Sequence, residues 1–426
     1  MIPLEEAQQF VLERFVPLPY RSTALAEAQG CVVGVDVVAT EPVPPFSNSQ
    51  MDGYALRAED TVGAPVALDV IGTVMAGDLF DGVVGARQAV RIMTGAPMVP
   101  GADAVCMIEL TEADVDRNRV TITREVAPGT FVRPPGHDVS PGDLIAPSGT
   151  VLTPAYLGVL ANQGFESVTV HPRPRVGILS TGDELFSGPG PLPPGKIRDA
   201  NRQTLMGLVR REGWDVLDLG IAGDDEGTLV RTLAEAAPRC DAIVSSGGVS
   251  MGDLDLVRVV LEKLSGGSMR WMQVAIRPAK PLAFGVLADT ATPVFGLPGN
   301  PVSAMVSFEL FVRPALRLLG GHRYPHRPVV RAAAAHDLLR EPDGKLHLLR
   351  AELFVGADAS WQVSTSRSQG SHQLHAMAEA NALVLLADGS GARAGDRVPV
   401  LLIDPDRIGT LSEHGGPTSV LEWRSR

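Results

Sequence analysis

The 426-residue chain has only 3 Cys (Cys31, Cys106 and Cys240), odd in number and far apart. Neither a disulfide framework nor a CxxC metal site can be built from them, which implies a reducing compartment. Positive charge is scarce as well: 37 Lys+Arg stand against 49 Asp+Glu, a formal net charge of -12. Phosphate polymers are held by clustered Lys and Arg, so nucleic acid is excluded as the main partner and any basic site must be local. No stretch approaches the ~20 apolar residues needed to cross a bilayer, and the amino-terminal MIPLEEAQQFVLERF carries acids where a secretory leader carries positive charge. The expectation is a cytoplasmic protein without a membrane partner. HExxH, clustered Cys/His and the Gly-Lys-Ser/Thr P-loop are also missing, which leaves a zinc protease and an ordinary P-loop NTPase without support.

What the chain does have is glycine and proline. The 45 Gly and 34 Pro amount to about 19% of the residues, against a usual share of about 12%. Its 45% hydrophobic and 20% charged residues are ordinary for a globular protein, and about 150 residues per domain predicts roughly three domains. Leu4, Ala7, Val11 and Phe15 fall on one helical face after Pro3. From about 32 to 150, short β-type runs alternate with Gly, Pro and Asp clusters, as in a small β-rich unit. TPAYLGVLANQGF reads as a helix ended by Gly164, and residues 171–175 read as a linker. Strand and helix then alternate: VGILS, NRQTLMGLVRREG, WDVLDLG, EGTLVRTLAEAA, DAIVSS, a helix marked by Val257, Val260, Leu261 and Leu264, then VFGL and an apolar helical stretch. That order predicts a parallel-type sheet between helices. From about 321 onward, β-type runs return and a separate β domain is expected.

Three Gly-bearing loops follow three of these strands: STGDEL, SGGVSMGDLD and GLPGNPVSA. In open parallel sheets, ligands bind at the carboxyl ends of strands, where unpaired N–H groups of the next helix can hold an anion. Gly247, Gly248, Gly296 and Gly299 let the backbone approach a phosphate, and Ser245, Ser246, Ser250 and Ser303 add hydroxyls. Asp183, Glu184, Asp224, Asp225, Asp253 and Asp255 stand in the same region, beside Arg277 and Lys280 of AIRPAKP. Carboxylates around a phosphate repel it unless a hard divalent cation bridges them, which points to Mg²⁺. Each of these acids also has an ordinary alternative as a helix cap or first-turn residue. Further polar clusters occur in FSNSQMDGYALR, RIMTGAP and RPPGHDVSPGD, and in Arg350 with SRSQGSHQLH. Arg and Ser donors without acidic partners suit a tetrahedral oxyanion.

In one order along the chain stand MDGYA, RIMTGAP, GHDVSPGD, STGDEL, SSGGVSMGD, AIRPAKP, GLPGNPVSA and SQGSH. Together they resemble the molybdopterin molybdenumtransferase family, MoeA and the E domain of gephyrin. The resemblance implies an α/β and β multidomain architecture: an elongated helix-containing linker domain (1–43 with 140–172), a β-rich domain (44–139), a central molybdopterin-binding α/β domain (173–320) and a C-terminal β domain (321–426). It further implies a homodimer with the site shared between subunits, and insertion of molybdate into adenylylated molybdopterin with Mg²⁺-dependent release of AMP. A molybdopterin adenylyltransferase and apo-molybdoenzymes or their chaperones are the implied partners. The matching motifs give Asp52, Thr94, Asp138, Glu184, Asp255 and Lys280 as catalytic residues. Ligand binding falls to Ser180, Thr181, Gly182, Ser246, Gly247, Gly248, Ser250, Arg277, Pro298, Gly299, Asn300, Arg350 and Ser371. Glu184, Asp224 and Asp255 are the metal set, with the adjacent Asp225 left open against Asp224. Gln273 and Arg277 stand where the family commonly has Lys, and Ala279 replaces a Gly, which bears on oxyanion affinity and on molybdate against tungstate. The other readings are a non-catalytic molybdopterin-binding scaffold or carrier of gephyrin type, and a nucleotide pyrophosphatase or adenylyltransferase. The absence of a low-complexity interaction segment favours an enzyme over the scaffold, and the third reading leaves MDGYA, MTGA and SQGSH unexplained.

Overall fold

The computed structural model describes residues 1–223, 225–248, 256–356, 359–366 and 368–410. Two compact units emerge, one of Met1–Arg21, Gly30–Val32 and His171–Arg426, the other of Ser22–Gln29 and Val33–Val170. The chain is an α/β and β multidomain protein.

In the first unit, a six-stranded sheet runs in the order Asp215–Ala222, Arg175–Thr181, Ala242–Ser246, Pro293–Leu297, Pro281–Val286, Arg270–Gln273. The first four strands are parallel; Pro281–Val286 runs against them and Arg270–Gln273 against Pro281–Val286, so the expected parallel sheet ends in two antiparallel pairings. Side chains alternate between its faces. Val176, Ile178, Val244, Phe284 and Phe295 join the core formed with helix Ala200–Arg211 and the helical run Pro301–Leu319. Leu179, Ile243, Ala283 and Val294 join the opposite core, with helices Glu226–Ala236 and Leu256–Leu264. This period of two is what a strand buried on both faces requires. Helix Leu4–Leu12 buries Ala7 and Val11 in the first of these cores, so residues 1–21 pack with the α/β sheet. Asp199 and Asp225 cap their helices, accepting from Arg202 N at 3.2 Å and Thr228 N at 2.7 Å, each cap being worth about 1 kcal/mol.

The carboxyl-terminal part of this unit is a barrel. Leu346–Val355, Trp361–Thr365, Val329–Ala334, Arg397–Leu402 and Ala382–Leu386 pair in succession, and the last closes onto the first. Leu353, Val363, Val384, Val398 and Val400 fill its interior. The short segment Ile276–Arg277 leaves the α/β sheet and adds to this barrel, parallel to Leu346–His347.

The second unit holds a six-stranded sheet in the order Ala104–Met107, Gly53–Leu56, Gln88–Ile92, Val66–Val74, Arg119–Ile122, Thr111–Asp114. Tyr54 and Leu56 pack into one core and Ala55 into the other. Helix Pro154–Asn162 is capped by Thr153. No helix among the described residues is long and apolar enough to cross a membrane. All three cysteines are free, and burial pushes the Cys106 and Cys240 thiols up to about 11.

Candidate functional site

Three loops leave the carboxyl ends of the parallel strands. After Arg175–Thr181, the Ser180 hydroxyl does not reach outward as expected of a ligand contact. It is fully buried and donates to Asp199 Oδ1 at 2.9 Å, while Asp199 Oδ2 accepts from Arg202 Nε at 2.9 Å. Thr181 is likewise buried, its hydroxyl donating to the Ser246 carbonyl at 3.3 Å. These two side chains brace the loops through their own hydrogen bonds. Gly182 follows, and Glu184 and Asp183 are exposed beyond it.

After Ala242–Ser246, Gly247 has φ 98°, and a Cβ there would lie 2.7 Å from the Thr181 carbonyl oxygen. Only glycine fits between these two loops. Asn201, which none of the motifs flags, joins the second loop to the third: its Nδ2 donates to Ser246 Oγ and to the Gly299 carbonyl, both at 2.7 Å. A polar residue in the first turn after an N-cap, facing the ends of neighbouring strands, is the signal that points to it. Asp225, the alternative to Asp224, is engaged as a cap, and hydrogen bonds from Thr228 hold its carboxyl below the usual range. Asp224, Ser250 and Asp255 lie outside the described residues, as do Asp253 and Arg367.

Beside the third loop opens a cavity of about 470 Å³ between the α/β sheet and the barrel. Arg277 and Lys280 line it from one side, and Pro298, Asn300 and Ser303 from the start of helix Pro301–Ser307. Lys345, Gln369, Gly370, Ser371 and His372 line it from the barrel. Among the described residues, three cations and no carboxylate line this space, so its field favours an anion. The Ser371 carbonyl accepts from Val302 N at 3.1 Å, so the SQGSH loop also satisfies the first turn of the helix.

Arg350 departs from expectation. It is 1% exposed and does not line the cavity; its Nη1 and Nη2 donate to the Gly370 and Ser368 carbonyls at 3.1 and 2.6 Å. The Gln369 amide clamps the Arg350 backbone from the same loop. Arg350 therefore acts on the cavity through the loop that carries Ser371, and its Nε has no partner among the described residues. Gln273 does not line the cavity either; its carbonyl accepts from Ile2 N at 2.8 Å. Lys345 is the lining cation that no motif announces.

In the second unit, Asp52 and Thr94 form a pair. Asp52 Oδ1 accepts from the Thr94 backbone N–H and hydroxyl, both at 2.7 Å, and these bonds hold the carboxyl below its usual value. Asp138 is exposed, with its N–H donating to the Val43 carbonyl at 2.9 Å. Among the described residues, no three His, Cys, Asp or Glu side chains cluster closely enough to hold a metal by themselves.

Residues 2–164 match the family model described as MoeA N-terminal region (domain I and II), residues 177–318 the probable molybdopterin binding domain, and residues 332–403 the MoeA C-terminal region (domain IV). The chain is 40% identical over 395 residues to molybdopterin molybdenumtransferase 2 of Mycobacterium tuberculosis, covering 90% of this chain and 95% of that protein. It is 35% identical to molybdopterin molybdenumtransferase of Haemophilus influenzae, covering 94% and 98%. The crystal structure of the molybdopterin biosynthesis MoeA protein from Pyrococcus horikoshii OT3 superposes with a TM-score of 0.77 at 28% identity, over 94% of this chain and 100% of that one. Similarity of this extent, in sequence and in fold, over nearly the whole chain makes it a member of the MoeA family of molybdopterin molybdenumtransferases.

Proposed function

We propose that the protein is a molybdenumtransferase that inserts molybdate into adenylylated molybdopterin and releases AMP. The observation that carries this reading is the cavity with Arg277, Lys280, Lys345 and Ser371 on its walls and no carboxylate among its described lining residues, next to glycine loops at the carboxyl ends of a parallel sheet. A tetrahedral dianion needs several convergent donors and at least two compensating charges, and the cavity offers both. The backbone of the loops at Gly182, Gly247, Gly248 and Gly299 suits the phosphates and pterin of the larger substrate. The dithiolene sulfurs belong to that substrate, in keeping with cysteines whose thiols stay protonated.

Glu184, which is exposed, would hold Mg²⁺ together with Asp224 and Asp255; carboxylates are the hard oxygen donors this ion prefers. Bound there, it supplies positive charge at the scissile pyrophosphate. Asp52, kept ionised by Thr94, and Asp138 would be contributed by the second subunit of a homodimer. Four domains with the boundaries given above, a cytoplasmic setting, a supplying adenylyltransferase and receiving apo-molybdoenzymes or their chaperones belong to the same proposal.

The test is direct. Purified protein given adenylylated molybdopterin, Mg²⁺ and molybdate should release AMP and yield cofactor that activates an apo-molybdoenzyme. Glu184→Gln should still bind the adenylylated substrate while AMP release collapses. Binding without AMP release by the unaltered protein at every molybdate concentration overturns the reading.

A further inference from the structure

The cavity has one cation that the motifs do not predict and that comes from the barrel. The pairing of Ile276–Arg277 with Leu346–His347 puts Lys345, the residue before that strand, on the cavity wall, facing a space also lined by Arg277 and Lys280. Its side chain is 24% exposed, and its Nζ lies 3.1 Å from Asp343 Oδ2. The same carboxylate also takes Arg340 Nη2 at 2.5 Å and His347 Nε2 at 3.2 Å. Arg340 is in turn shared with Asp388 at 2.9 Å. Asp343 therefore divides its charge among three donors, and of these only Lys345 lines the cavity. An ammonium whose counter-charge is shared in this way keeps much of its attraction for a second anion.

We propose that Lys345 is an affinity-determining residue for the oxyanion, tethered at the cavity wall by Asp343 and competed for by that carboxylate. The inference rests on the cavity being the molybdate site. Arg277 and Lys280 reach the anion from the α/β side; Lys345 and the Ser371 hydroxyl close on it from the barrel. Asp343 acts as a restraint: it holds the lysine in place, and it weakens the lysine's hold on the anion.

That arrangement gives opposite signs for two substitutions in contact with each other. Titrating the full chain with molybdate alone, Lys345→Ala should weaken binding about tenfold, as expected for loss of a charge-assisted bond. Lys345→Arg should restore it to within about threefold, because the charge is retained. Asp343→Asn should tighten binding, because the ammonium loses its competitor. In turnover assays the Lys345→Ala protein should need more molybdate yet regain the parental rate of AMP release at saturation. If Lys345→Ala and Asp343→Asn weaken binding alike, the pair is merely structural and the proposal falls. If Lys345→Ala binds normally while Lys280→Ala does not, the proposal falls and the cavity remains the anion site. If neither substitution alters molybdate binding, the cavity reading itself is overturned, and the proposal with it.

Discussion

Ala279 has φ 74°, in the left-handed region where the Cβ of an L-residue crowds backbone oxygen at a cost of roughly 1–2 kcal/mol. It is 3% exposed and immediately precedes Lys280 on the cavity wall, in a turn closed by Val274 N donating to the Lys280 carbonyl at 2.8 Å. Ala279→Gly should therefore stabilise the protein by about 0.5–1 kcal/mol, once the larger unfolded-state freedom of glycine is subtracted. The denaturant midpoint should rise at constant slope; a fall would mean that the methyl group's packing outweighs the torsional strain. The sequence displays the exchange of glycine for alanine but not the torsion, which the fixed ends of the turn impose. Arg350 teaches the same lesson: its charge is legible, while the burial that turns its guanidinium toward the carbonyls of residues 368 and 370 is not.

At the scale of elements, the site depends on loops held in register by side chains beneath them. Asn201 stands at the start of helix Ala200–Arg211 and ties Ser246 to Gly299. Asn201→Ala removes two hydrogen bonds, each worth about 1 kcal/mol, and should lower affinity for adenylylated molybdopterin about tenfold in a binding titration. Asn201→Asp replaces the donor with an acceptor facing a carbonyl and should bind no better than the alanine variant; tighter binding would refute the tie. The parallel strands and their helices were legible because apolar runs of strand length alternate with 3.6-residue periodicity. Strands Arg270–Gln273 and Pro281–Val286 were not, since Arg, Pro and Lys break their pattern, and their pairing comes from the neighbouring strand. The addition of Ile276–Arg277 to the barrel, which brings Lys345 to the site, joins residues far apart in sequence and has no local signature.

At the scale of the whole molecule, the connector from the α/β domain to the barrel is held by charge. Arg313 and Arg327 pair with Glu212 at 2.8 and 2.9 Å, and Arg327 also meets Glu309 at 2.8 Å. Arg313 and Arg317 donate to the carbonyls of Pro325 and Tyr324, both at 3.1 Å. His322 lies among these groups, 9% exposed, and burial, with Arg317 nearby, holds its imidazole down to about 4 from an ordinary 6.5. Between those values the unfolded chain takes up the proton first, so stability is fully present above about 6.5 and declines as pH falls toward 4. His322→Gln should flatten that part of the stability profile when denaturation is followed across it. An unchanged slope would assign the acid sensitivity to other groups.

The strand addition at Ile276–Arg277 has a mechanical consequence. The two walls of the cavity beside Lys280 belong to the α/β sheet and the barrel, yet they are stitched by main-chain bonds such as Leu346 N to the Ala275 carbonyl at 2.9 Å and Val302 N to the Ser371 carbonyl at 3.1 Å. The walls cannot part like jaws without rupturing sheet and helix together. An anion bound there as proposed would exchange through a fixed mouth, its arrival set by diffusion and local field and not by a hinge.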